Sequence, residues 1–211
     1  MVQAPPQSTR QSRQLDALLS TRGKDLPAPR IGDPRSAANL ISFSFGFPDP
    51  ASLPAQQVAA ATTRAMEKDG QWALQYGKVT GAPPLVDALI EKLRRDQGID
   101  ATPENVLITA GGSQAVQLVL DLLVDPGDTV VVEAPTWMGF LYALSNIHGK
   151  AVTAPIEEEG TDTVQLERTL ARLRSDGIQP KLIYLIPNFQ NPSGISTTVE
   201  RRRRIVELAR E

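Results

Sequence analysis

The passage from residue 182 to residue 198 constrains this chain most. An apolar run, Leu182-Ile183-Tyr184-Leu185, leads into Ile186-Pro187-Asn188-Phe189-Gln190-Asn191-Pro192-Ser193-Gly194, and a charged helical pattern begins near Thr198. A short apolar run that ends in Pro, Asn and Gly reads as a buried strand running out into a loop. Strand, polar loop and helix are the repeating unit of open α/β sheets, and such sheets bind ligands at the carboxyl ends of their strands. The Asn191 loop is therefore a candidate site on local grounds alone.

The rest of the chain repeats that unit. Helices are predicted over 54–69, 84–97, 113–124, 137–147, 164–174 and 198–210, and strands over 106–109, 129–133, 151–154 and 182–186. In 84–97, Leu85, Ala88, Leu89 and Leu93 share one face, and Gly98 stands where a helix should stop. The segment 113–124 is apolar on most sides and so is expected to be buried. Asp125-Pro126-Gly127-Asp128 has the residues that turns favour. Strands alternating with helices imply a mostly parallel sheet with helices on both faces. Residues 1 to about 38, rich in Gln, Ser, Pro and Arg, read as an arm, with Leu15, Leu18 and Leu19 at helical spacing in one short piece.

Composition removes several chemistries. There is no cysteine, so disulfides and thiolate metal sites are excluded, and a single histidine, His148, argues against a His-built metal cluster or a Ser-His-Asp triad. A net charge of -2 gives no reason to expect nucleic acid as a partner. No apolar stretch approaches a membrane span and the first residues lack a secretory apolar core, so the expectation is a soluble, cytoplasmic protein. The run Arg201–Arg204 reads as a solvated helix face with Ile205, Val206 and Leu208 turned inward, and Glu157-Glu158-Glu159 before Gly160 reads as an exposed loop.

Two further segments follow predicted strands. Thr109-Ala110-Gly111-Gly112-Ser113-Gln114 opens a helix, where free N–H groups and the helix dipole suit a phosphate and glycines allow close approach. Taken alone it is more often only an ordinary Ser cap, and it fits neither a P-loop nor a dinucleotide fingerprint. Glu133-Ala134-Pro135-Thr136-Trp137 offers an aromatic ring that could lie on a heteroaromatic ligand or simply pack in a core.

In this order, a phosphate cradle, a stacking aromatic and an Asn-Pro-x-Gly loop resemble the class I/II aminotransferases, fold-type I enzymes that use pyridoxal phosphate. The turn Asp125–Asp128, the segment Leu74-Gln75-Tyr76-Gly77 with Gly81, and Phe45-Gly46-Phe47-Pro48-Asp49-Pro50 resemble the same family, so the likeness runs over about residues 40–211. It is nearest to the subgroup of 2-aminoadipate and kynurenine aminotransferases and MocR-type effector domains. The resemblance implies the following roles. Gly112, Ser113 and Gln114 hold the cofactor phosphate; Trp137, where the subgroup commonly has Tyr, stacks on the pyridine ring; Asn191 bonds the phenolic oxygen and contacts substrate. Tyr76 reaches the phosphate and substrate of the neighbouring subunit in a homodimer. Gly46 lies near the substrate carboxylate, although the subgroup often has Gly-Gly where this chain has Phe45-Gly46. The substrates implied are an amino acid and a 2-oxo acid.

The family also needs a lysine that holds the cofactor covalently, an aspartate on the pyridine nitrogen and an arginine for the substrate carboxylate, all later than the Asn191 loop. None of Lys24, Lys68, Lys78, Lys92, Lys150 and Lys181 has that setting. The expectation is an N-terminal part of a longer enzyme. Residues 1–50 would form an arm and the start of a small domain, and 51–211 part of the large cofactor domain. The catalytic lysine would be missing, and unpaired sheet edge and apolar surface would be liabilities. Other readings that remain are a lyase or decarboxylase of the same fold, a MocR-type regulator that senses the cofactor, and a fragment with no function of its own.

Overall fold

The computed structural model describes residues 17–20, 23–24 and 48–211. Gly46 and most of the predicted N-terminal arm lie outside the described residues. The chain divides into two compact units, one holding residues 31–111 and the other holding residues 1–30 and 112–211.

In the first unit, helix α1 (Ala55–Asp69) and helix α2 (Pro83–Gln97) are the regular elements. Prolines open α2, where a missing N–H costs nothing, and Gly98 ends it at a left-handed φ of 66°. Its inward face is led by buried Val86, with Leu89, Ile90 and Leu93 half-buried; Leu85 and Ala88 are exposed. Gly81 has a φ of 116°, and a Cβ there would lie 2.3 Å from Ile108, so this glycine is what lets residue 108 pack close. The predicted strand 106–109 is irregular. Its Ile108 N–H donates to Thr80 O at 3.0 Å, but none of the described strands pairs with it.

The second unit is an α/β layer structure. Helix α3 (Gly112–Leu123) leads through the turn Asp125–Asp128 into strand β1 (Thr129–Ala134). Helix α4 (Met138–Asn146), strands β2 (Lys150–Glu157) and β3 (Gly160–Thr161), helix α5 (Thr163–Ser175), strand β4 (Leu182–Tyr184) and helix α6 (Val199–Arg210) follow. The sheet order is β3-β2-β1-β4, with β1 parallel to both β2 and β4 and only the short β3 antiparallel. In the turn, Pro126 precedes Gly127 at φ 92°, and Asp128 N–H donates to Asp125 O at 3.0 Å. Proline followed by a positive-φ glycine is the requirement of a type II turn.

Strand β1 is central because it can be buried on both sides. Its three valines alternate between faces. Val130 and Val132 enter a core with Leu120, Val124, Phe140, Leu144 and Ile147 from α3, α4 and their flanks. Val131 enters the opposite core with Ala154, Leu166, Leu170, Leu173, Ile205 and Leu208. Helices α3 and α4 therefore cover one face of the sheet, and α5 and α6 the other. This is the mostly parallel, doubly covered α/β sheet that the alternation implied. Asp162 caps α5 by accepting from Val164 N–H at 2.9 Å and Gln165 N–H at 3.0 Å.

Candidate functional site

The topology brings three of the candidate segments to one end of the sheet. Strands β1 and β4 are parallel neighbours, so the loops that leave them, carrying Trp137 and Asn191, leave on the same side. Helix α3 enters β1 through a tight turn and packs on the sheet, so it runs antiparallel to β1. Its 12 residues span about 18 Å and the six of β1 about 20 Å. Gly112 and Ser113 are thereby level with the carboxyl end of β1.

At that helix start two glycines leave open space beside the backbone. A Cβ added at Gly111 or Gly112 would meet nothing within 4 Å, and Gly111 holds a φ of 84°. Gly112, Ser113 and Gln114 are exposed. Ser113 lies inside the first turn of the helix and not at its cap. The first N–H groups of a helix have no partner within it and face outward along the axis. The space beside Gly111 and Gly112 is open, and the first N–H groups of the helix give it the chemistry that suits an anion.

Trp137 immediately precedes α4. Its indole is half-buried against the Phe140 core, and it lies across the first turn of its own helix, where a Cβ at Gly139 would fall 2.1 Å from the ring. Below it Phe140 stacks on Tyr184 of β4 at 3.6 Å and 10°. Burial, and then the negative charge of Glu133, push the Tyr184 phenol above its ordinary value. Asn191 is exposed, in a loop that also contains the cis Asn191–Pro192 peptide; a second cis peptide, Ala134–Pro135, sits in the Trp137 loop. Tyr76 belongs to the other unit and is 100% exposed.

The two lysines that flank strands of the sheet stand elsewhere. Lys150 starts β2 and Lys181 precedes β4, the latter 3.6 Å from Asp128, so both mark the amino ends of strands.

Sequence reasoning missed the residues that hold these loops together. Glu133, 2% exposed, accepts from Thr161 Oγ1 at 2.8 Å, from the Ile186 N–H at 2.9 Å and from Gln190 Nε2 at 3.3 Å. Gln190 Nε2 also donates to Pro135 O at 2.8 Å, which ties the Asn191 loop to the Trp137 loop. On the far side Arg202 donates to Thr197 O at 2.7 Å, Pro187 O at 2.8 Å and Asn188 Oδ1 at 2.6 Å. Arg201 donates to Gly160 O at 2.9 Å and to Glu157 Oε2 at 2.8 Å. The arginine run is thus only partly a solvated face: two of its members hold backbone, and Val206 is half-exposed instead of inward. The one sequence signal for Glu133 was an acid continuing a run of valines that must be buried. Among the described residues there is no group of His, Cys, Asp and Glu fit for a metal, and no helix long and apolar enough to cross a membrane.

A mostly parallel sheet carries a glycine-opened helix start, a half-buried indole and an Asn-Pro loop at one end, the layout of an α/β domain with its candidate site at the strands' carboxyl ends. Its wider likeness is specific: the chain belongs to the aminotransferases of class I and II, whose family model matches residues 38–211. It is 36% identical over 172 residues to aromatic-amino-acid aminotransferase 1 of Thermococcus litoralis, covering 82% of this chain and 41% of that protein. The crystal structure of Pyrococcus horikoshii kynurenine aminotransferase, in complex with PMP, superposes with a TM-score of 0.85 at 31% identity, over 95% of this chain and 50% of that one. Thermus thermophilus LysN, an α-aminoadipate aminotransferase complexed with N-(5'-phosphopyridoxyl)-L-leucine, gives 0.78 and 32%, over 93% of this chain and 47% of that one. Regulators of MocR type are also among the relatives. The chain spans about half the length of the curated relatives it matches.

Proposed function

We propose that this chain supplies the phosphate, ring and phenol-oxygen contacts of a cytoplasmic, pyridoxal phosphate-dependent aminotransferase. That enzyme moves an amino group between an amino acid and a 2-oxo acid. One observation carries the reading: a glycine-opened helix start, an aromatic ring and an exposed Asn lie toward the carboxyl end of β1 and β4, in a family with a solved member complexed with N-(5'-phosphopyridoxyl)-L-leucine. When bound, the cofactor supplies an electron sink for the bonds at the substrate's α-carbon. The chain's own residues bind and orient it. The N–H groups of Gly112, Ser113 and Gln114 and the Ser113 hydroxyl receive the phosphate, with the α3 dipole adding to the attraction. Trp137 bounds one face of the pyridine ring, and the Asn191 side chain donates to the phenolic oxygen. Tyr76 reaches the phosphate and substrate of a neighbouring copy in a homodimer, and Gly46 flanks the substrate carboxylate. The relatives named for aminoadipate, kynurenine and aromatic amino acids support a substrate in that range.

The test is titration of pyridoxal phosphate into the chain, followed by quenching of tryptophan fluorescence. Saturable quenching that is lost in Trp137→Phe, with affinity weakened by Ser113→Ala and by Asn191→Ala, is the expected result. No saturable binding, or binding indifferent to all three substitutions, would sink the proposal. Intact mass of the protein from its native source after borohydride reduction then tests for the covalent lysine: one pyridoxyl adduct on a mass well above 22.8 kDa is expected.

A further inference from the structure

Two amides stand side by side in the Asn191 loop, and they are used in opposite ways. The Gln190 side chain is 3% exposed and engaged at every position. Its Nε2 donates to Glu133 Oε2 and Pro135 O, and its Oε1 accepts from Ser193 N–H at 2.9 Å and Ser193 Oγ at 2.7 Å. Both donors and both acceptor lone pairs of a carboxamide are then filled. The Asn191 amide, one residue on, is exposed at the ligand end of the sheet.

Glu133 anchors that arrangement from the sheet. Three donors converge on it: the Thr161 hydroxyl, the Ile186 N–H and the Gln190 amide. A carboxylate accepts from all three at once, with the Thr161 hydroxyl on one oxygen and the other two donors on the second, and an apolar side chain of the same length would leave all three without this partner. Glu133 is the residue of β1 from which the Trp137 loop departs, and Ile186 lies where β4 runs into the Asn191 loop. The pair therefore spans the two loops with short polar contacts in a water-poor place, where each contact is strong and a missing partner is costly.

We propose that Glu133 and Gln190 are a buried positioning pair, which fixes the backbone on either side of Asn191 against the Trp137 loop and so aims the Asn191 amide at the cofactor. The pair touches no ligand itself. This rests on the role proposed above for Asn191.

A double-mutant cycle on pyridoxal phosphate affinity separates positioning from general support. Gln190→Met keeps length and volume and removes all the polar contacts. It is expected to weaken binding about tenfold in the wild-type background and less than about twofold in Asn191→Ala, because an amide that is absent cannot be misaimed. Ser193→Ala, an exposed and milder change, is expected to show the same dependence on Asn191 at smaller amplitude, and it stands in if Gln190→Met does not fold. Equal losses in both backgrounds, or no loss in either, would overturn the proposal. If the wild-type chain binds no pyridoxal phosphate, the proposed function fails and amide hydrogen exchange decides the pairing alone. Glu133→Met, which removes every acceptor at nearly constant length, should then speed exchange at Ile186 and Ser193 while leaving Val131 and Val132 protected. Unchanged protection at Ser193 would refute it.

Discussion

The same substitution at two buried threonines should have opposite effects. Thr161 is 1% exposed, and its hydroxyl donates to Glu133 Oε1 at 2.8 Å. Thr136 is 9% exposed, and its Oγ1 is buried with no hydrogen-bond partner. Valine nearly matches threonine in shape, so Thr→Val isolates the hydroxyl at each site. At 161 the change leaves a buried carboxylate oxygen one donor short in a place water does not reach. Hydrogen bonds to charged groups are worth about 1.5–3 kcal/mol, and the orphaned acceptor puts this case in the upper half of that range. For a chain of this size each kcal/mol moves Tm by about 2–4 °C, so Thr161→Val should lower it by about 4–12 °C. At 136 nothing is lost, and a desolvated hydroxyl is replaced by a methyl group. Thr136→Val should be neutral or stabilising by about 1 kcal/mol. Thermal unfolding followed by circular dichroism, with urea midpoints as a second measure, reads both. Equal destabilisation by the two substitutions would show that the Glu133 contact carries no special weight.

Two other substitutions probe the scaffold. Leu120 of α3 is fully buried in the core with β1, and Leu120→Ala should cost about 3–5 kcal/mol in urea unfolding, loosening the helix whose start is proposed to receive the phosphate. Tyr184 ionises less readily folded than unfolded, so the unfolded chain gains relative to the folded one once pH rises past about 10. Stability should fall from there until the folded phenol ionises, and Tyr184→Phe should flatten that fall in urea midpoints measured from pH 8 to 11; an unchanged slope would refute the assignment.

Local pattern carried the helices and the central strand because those elements are set by neighbours in sequence. Three valines in a row can only be satisfied by burial on two faces, and the Pro-Gly turn before them left one geometry. The failures occur where structure is set by distant partners. Residues 106–109 have the composition of a strand, but a strand is defined by the edge beside it, and among the described residues no strand lies there. The glutamates at 157–159 are exposed as read, yet Glu157 belongs to β2 and Gly160 is buried, because a two-residue strand folds back along β2. A Cβ at Gly160 would lie 2.5 Å from the Thr197 backbone, a contact no local pattern announces. Of the candidate positions, Trp137 and Asn191 could be located because each follows a strand, and Ser113 because it opens a helix after two glycines. The pair that holds two of their loops could not, since Glu133 and Gln190 are 57 residues apart and each looks unremarkable alone.

The sheet ends differently on its two sides. Strand β3 folds back over the outer side of β2, while β4 has β1 as its only ladder neighbour among the described strands. Strand β3 covers only Ile156 and Glu157, so Lys150–Pro155 of β2 also present an open outer edge among the described strands. A sheet open along both margins can be extended at either one. Concentrated solutions of this chain should therefore accumulate a spread of sizes and not one discrete pair.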